Sequence, residues 1–234
     1  MSRVDPLVTA TQLLAQIGSS STKILDATWV PSFLKDRPDG RSLYQDGHIP
    51  GAIYFDIDEI ADRETSLPHM LPSQAVFAEN VGALGLTNDD EIVVYDSNGF
   101  FAAARVWWMF RAMAYENIRV LDGGLNAWKA AGGDLETAVS EVEPAVFRAE
   151  LNPALLKSMD QMRDHIASSD VNILDARATG RFTGTSPEPR PDLPSGHMPG
   201  SFCLPSTELI QTDGHLKSAQ DLKPLLEPYV SSSI

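Results

Sequence analysis

The sequence is poorest in cysteine: Cys203 is the one thiol in 234 residues. That excludes a disulfide within the chain, a Cys-x-x-Cys redox pair and a thiolate metal cluster. Basic residues are also scarce, with 18 Lys and Arg against 32 Asp and Glu and a formal net charge of −14. Such a surface repels nucleic-acid phosphates and anionic membranes, so neither is an expected partner. No apolar run approaches the roughly 18 to 20 residues of a membrane span. The N-terminal Met1-Ser2-Arg3-Val4-Asp5-Pro6 lacks the basic and apolar regions of a signal peptide and carries an early acid, which points to a cytoplasmic protein. Five histidines are scattered without a short ligand pair, so no metal and no cofactor is expected. What remains, 43% hydrophobic residues, suffices for one large or two small domains with a real core.

Within that composition lies an internal repeat. Ile24-Leu25-Asp26-Ala27 recurs as Ile173-Leu174-Asp175-Ala176, and Gly47-His48-Ile49-Pro50-Gly51 recurs as Gly196-His197-Met198-Pro199-Gly200, both at an offset of 149. Two motifs with the same separation in each half indicate a duplicated domain. A weaker match pairs 71–85 with 216–230 at an offset of 145.

Apolar patterning places strands at 23–27, 52–55, 91–95 and 118–121 and helices at 74–84, 100–114 and 125–131 in the first half. The second half begins alike, with a helix near 155–166, strands near 171–174 and 201–204, and a helix near 219–226. Strands alternating with helices predict an α/β fold in which each domain is a mostly parallel sheet flanked by helices. The expected division is domain 1 over 6–137, a linker over 138–154 and domain 2 over 155–234. Nothing in the second half answers to 87–132, so its late elements are expected to be lacking.

The repeated strand followed by Gly-His-(Ile/Met)-Pro-Gly, together with Leu121-Asp122-Gly123-Gly124-Leu125-Asn126-Ala127-Trp128, resembles the two-domain rhodanese family over nearly the whole chain. The stretch from Ala178 to Arg190 resembles its 3-mercaptopyruvate branch, because the thiosulfate branch carries an acid in place of Arg190. His69-Met70-Leu71-Pro72 points the same way, the thiosulfate branch tending to carry methionine for His69. The resemblance implies tandem rhodanese-like domains and ping-pong sulfur transfer. A thiolate takes the sulfane sulfur of 3-mercaptopyruvate or thiosulfate as a persulfide and passes it to a thiol such as thioredoxin or to cyanide.

The resemblance also assigns residues. The nucleophile's place in the first domain is held by Asp96 of Asp96-Ser97-Asn98-Gly99-Phe100-Phe101-Ala102, and a carboxylate cannot form a persulfide. The catalytic cysteine of the second domain is expected beyond Ile234, so the chain by itself is expected to be inactive. Asp58 and His69 would form the acid/base pair of an Asp-His-Ser arrangement reaching across a cleft between the domains. Arg181 and Arg190 would clamp the anionic donor, because guanidinium forks suit carboxylate and ketone oxygens. Arg190 aligns with Arg41 under the repeat, which leaves a shared structural ion pair as its alternative role; Arg181 aligns with Ser32.

Read from the residues alone, Cys203 falls in a strand without glycines or a helix start after it, the setting of a small buried hydrophobe. His48 and His197 recur in both halves and are expected to be scaffold. The rival function is a non-enzymatic rhodanese-like module holding a small anion or a protein partner in the cleft between the domains. A phosphatase of similar fold would need Cys-x5-Arg, and Cys203 leads instead to Glu208 and Leu209.

Overall fold

After Glu91, Ile92-Val93-Val94-Tyr95 is a continuous apolar run rich in β-branched residues, the pattern of a strand buried on both faces. The computed structural model places it as an inner strand. It describes residues 5–31, 33–34, 36–97, 100–190 and 193–230. The 1–4 segment, Ser32, Asn98, Gly99 and the 231–234 end, all of which entered the readings above, lie outside the described residues.

The chain divides into two units, Met1–Leu156 and Lys157–Ile234. Unit 1 holds β1 (Leu7–Val8), α1 (Ala10–Leu14), β2 (Thr22–Asp26), α2 (Gly40–Asp46), β3 (Ala52–Tyr54), α3 (Gln74–Ala83), β4 (Glu91–Tyr95), α4 (Ala103–Ala112), β5 (Ile118–Leu121) and α5 (Gly124–Ala130). Its sheet runs β1-β5-β4-β2-β3 with every neighbour parallel. Side chains alternate across the sheet. Ile92 and Val94 accordingly join one core cluster with Phe77, Phe110 and Phe147, while Val93 and Tyr95 join another with Leu13, Leu121 and Trp128. Because the strands are parallel, the loops that follow β2, β3 and β4 gather along one edge.

Unit 2 holds α6 (Met159–Ser168), β6 (Leu174–Asp175), α7 (Thr179–Thr183), β7 (Phe202–Cys203) and α8 (Ala219–Leu226). β6 and β7 pair in parallel. The repeat is visible in their register: Leu25 faces Ile53 and Asp26 faces Tyr54 in unit 1, and Leu174 faces Phe202 and Asp175 faces Cys203 in unit 2. The weaker match also has a counterpart, since Ser73 caps α3 and Ser218 caps α8 through the same side-chain bond to a first-turn amide.

Three expectations shift. The strand near 171–174 is confined to Leu174–Asp175, where β7 offers partners. The helix near 155–166 starts only at Met159, where Ser158 and Gln161 form a capping box. Segment 138–154, expected as a linker, falls within unit 1. Its amides reach Gly82 O, Met113 O and Ala112 O, and Phe147 enters the core.

Candidate active site

β4 ends at Tyr95, and the next residue, Asp96, is buried. Its Oδ2 accepts from the backbone amides of Ala102 at 2.8 Å and Ala103 at 2.7 Å. These amides open α4, whose first residues have no side-chain cap of their own. A helix start favours an anion through its unpaired N–H groups and its dipole. Asp96 is therefore the built-in anion of this helix. Phe100 at φ 62° lies in the left-handed region, so α4 begins later than its apolar run suggests. α5 seals the same loop from the other side: Leu125 N donates to Asp96 O at 3.1 Å, and a Cβ on Gly124 would lie 2.4 Å from that oxygen. Gly124 of the Leu-Asp-Gly-Gly motif is thus required by close approach, and Gly123 by its left-handed φ of 77°.

Asp58 and His69 are brought together. His69 Nδ1 lies 3.0 Å from Asp58 Oδ1, an ion-pair contact out of line for a hydrogen bond. The other carboxylate oxygen, Oδ2, accepts from Trp29 Nε1 at 2.8 Å. Trp29 stands edge-on to the His69 ring at 5.0 Å and stacks on Phe101 at 5.8 Å. Asp56 Oδ1 takes the amide of Asp58 at 3.1 Å and fixes the turn that presents it. His69 itself sits at φ 58°, and Arg105 Nη2 donates to its carbonyl at 2.5 Å. Burial pulls the Arg105 pKa below its ordinary value, and its guanidinium lies 4.7 Å over the Trp108 ring.

In unit 2, Arg181 is engaged by an acid of its own loop. Nε and Nη2 donate to Glu188 Oε2 at 3.1 and 2.5 Å. The second oxygen of Glu188 accepts from Arg177 Nη1 at 2.9 Å, and Arg177 also binds Asp175. The Arg181 bond holds the Glu188 carboxyl below the usual carboxylate range, and the Arg177 bond does the same for Asp175. Arg190 is exposed, and its side chain has no ion pair among the described residues. Its repeat counterpart, Arg41, pairs with Asp56 at 3.1 Å; the position answering to Asp56 is Pro205, which offers no carboxylate.

Cys203 lies in β7, partly buried, with Sγ 3.9 Å from Thr179 Oγ1. His48 Nδ1 and His197 Nδ1 each lie 2.7 Å from a carbonyl, of Tyr44 and Phe182, and both rings stack on that same residue. No group of three or more His, Cys, Asp or Glu among the described residues is placed to hold a metal ion, and no described helix is long and apolar enough to cross a membrane. Sequence reasoning missed Trp29, Arg105, Arg177 and Glu188. Position 177 directly follows the repeated Ile-Leu-Asp-Ala, where the repeat exchanges Thr28 for Arg177, the signal that could have marked it.

A family model described as Rhodanese-like domain matches residues 9–131. Thiosulfate/3-mercaptopyruvate sulfurtransferase 2 of Arabidopsis thaliana is 39% identical, over 95% of this chain and 71% of its own length. 3-Mercaptopyruvate sulfurtransferase of Homo sapiens is 38% identical, over 93% of this chain and 73% of its own length. Among solved structures, SseA from Escherichia coli, a 3-mercaptopyruvate sulfotransferase of rhodanese fold, superimposes with a TM-score of 0.87 at 32% identity, covering 97% of this chain and 84% of that one.

Proposed function

The chain belongs to the rhodanese-like family of sulfurtransferases, and from that premise we propose that it serves transfer of sulfur from 3-mercaptopyruvate, in preference to thiosulfate, through a cysteine persulfide to a thiol such as thioredoxin or to cyanide. The observation that carries this reading is the Trp29–Asp58–His69 constellation, in which the loop after β3 sets an imidazole against a carboxylate and Trp29, from the loop after β2, holds that carboxylate. In the reaction, a thiolate attacks the donor's sulfur and the C–S bond breaks. The electron pair leaves on carbon as the enolate of pyruvate, which takes up a proton, and the sulfur stays behind as persulfide. His69 supplies that proton in our reading, as an imidazole held 3.0 Å from the Asp58 carboxylate. Arg181 and Arg190 bind the carboxylate and keto oxygen of the donor. The reading of the two units as tandem rhodanese-like domains and a cytoplasmic location belong to the same proposal; one relative is named as mitochondrial.

Asp96 has no sulfur to donate, and Cys203 is the last residue of the two-residue strand β7, with its Sγ 3.9 Å from Thr179 Oγ1. We therefore propose that these 234 residues by themselves bind the donor without turning it over. The second reading, a non-enzymatic binder of a small anion or protein, is favoured by Arg190, exposed and without an ion pair among the described residues. Calorimetric titration with 3-mercaptopyruvate tests donor binding. Arg181→Ala and Arg190→Ala should each weaken binding about tenfold or more. Undiminished binding by both variants would remove the basis of either reading.

A further inference from the structure

Arg181 is not a bare cation. Its Nε and Nη2, the two donors of its fork, both end on Glu188 Oε2. The Glu188 side chain is 3% exposed against 32% for Arg181, so the carboxylate is the inner partner and part of the guanidinium faces outward. Arg177 closes the other oxygen of Glu188 at 2.9 Å and spends its remaining donors on Asp175 and on Gly196 O at 2.7 Å. Asp175, Arg177, Glu188 and Arg181 thus form a line of alternating sign with no net charge. Nη1 of Arg181 has no partner among the described residues.

We propose that Glu188 determines the specificity of this anion site by occupying the bidentate side of Arg181, so that a ligand meets the guanidinium end-on through Nη1 and beside a fixed negative charge. The proposal rests on the reading of Arg181 as a donor-binding residue. A planar carboxylate gains most from a guanidinium when it takes Nε and an Nη together. Here an internal carboxylate already holds that geometry, and its charge opposes any arriving anion. Affinity for simple carboxylates is held down as a result, and the attraction that remains comes from Nη1 of Arg181. The arrangement suits a reaction whose 2-oxoacid product keeps the carboxylate and keto oxygen of the donor and still has to leave.

The test is calorimetric titration of the full chain with sodium pyruvate at low ionic strength. Glu188→Gln removes the charge with little change of shape and should tighten pyruvate about fivefold. Glu188→Asp keeps the charge and should stay near the unsubstituted chain. Glu188→Ala, which frees the fork as well as removing the charge, should tighten pyruvate at least as much as Glu188→Gln. Unchanged or weaker binding by both Glu188→Gln and Glu188→Ala would overturn the proposal. Arg181→Ala separates the levels: pyruvate binding that survives it defeats the donor-binding reading itself, whereas binding lost there but tightened in neither Glu188→Gln nor Glu188→Ala defeats only the role of Glu188.

Discussion

Units 1 and 2 contain the same pair of strands and surround it differently. Leu25 and Leu174 stand at the same register position, yet Leu25 is fully buried and Leu174 is 41% exposed. The turn after each strand is also shared: Asp26 Oδ1 accepts from Thr28 N at 2.8 Å and Asp175 Oδ1 from Arg177 N at 3.0 Å. β2 lies between β3 and β4, with apolar clusters on both faces of the sheet, whereas β6 has β7 alone among the described residues. Local sequence is enough to set a strand pair and its turn, but burial comes from the neighbours. The chemistry is divided the other way. Unit 1 spends its loop carboxylate on its own helix, and unit 2 keeps guanidinium groups at its surface.

The largest effect that would sharpen this contrast is in the cores. Phe110 is fully buried among Phe55, Phe77, Tyr115 and Phe147. Phe110→Ala should cost about 3–5 kcal/mol, the range for deleting a buried aromatic ring. Phe202, 44% exposed in unit 2, should cost less than about 1 kcal/mol on the same change. Urea unfolding followed by tryptophan fluorescence for unit 1 and by backbone circular dichroism for the whole chain checks both. Equal costs would break the comparison.

Next in size is Asp96→Ala, which strips two charged bonds from the start of α4 and should cost about 2 kcal/mol in the same unfolding experiment. Smaller again is Trp29→Phe, which removes the indole donor to Asp58. A double-mutant cycle with Asp58→Asn should give a coupling of about 1 kcal/mol. Independent effects would dissolve the constellation into chance neighbours.

Acid should separate the units most gently. Burial raises the Asp26 pKa above its ordinary value, so its contribution to unit 1 is complete at low pH and declines as pH rises through the folded pKa. Bonds from Arg177 and Arg181 lower Asp175 and Glu188, so their contribution to unit 2 is present above the ordinary carboxylate range and is lost as pH falls through the folded values. Below about pH 4 unit 2 should loosen before unit 1. Hydrogen exchange of the two sheets as pH is lowered would report the order, and earlier loss of unit 1 would contradict the assignment.

Much of this was legible in the sequence for physical reasons. β4 announces itself as a continuous apolar run, and the repeated Ile-Leu-Asp-Ala marks β2 and β6 through a turn that needs only its own residues. α2 escaped because Gly-Arg-Ser-Leu-Tyr-Gln-Asp shows no apolar period and starts on a glycine, although Asp39 caps it. β1, two residues long, exists through its pairing with β5. At the site, Asp58 and His69 were reachable through the family resemblance. Trp29 and Glu188 were not, because a loop that follows β2 meets one that follows β3 only once the sheet has formed, and no local pattern records which acid an arginine will find.

The most direct test of the central claim, that these residues bind the donor but hold no cysteine able to turn it over, is intact-mass analysis of the 234-residue chain after incubation with 3-mercaptopyruvate, with thiocyanate formation from cyanide measured alongside. The expected result is no sulfur added to Cys203 and no thiocyanate above the protein-free rate. A chain that gains one sulfur on Cys203 and turns over cyanide, with both lost in Cys203→Ser, would contradict it.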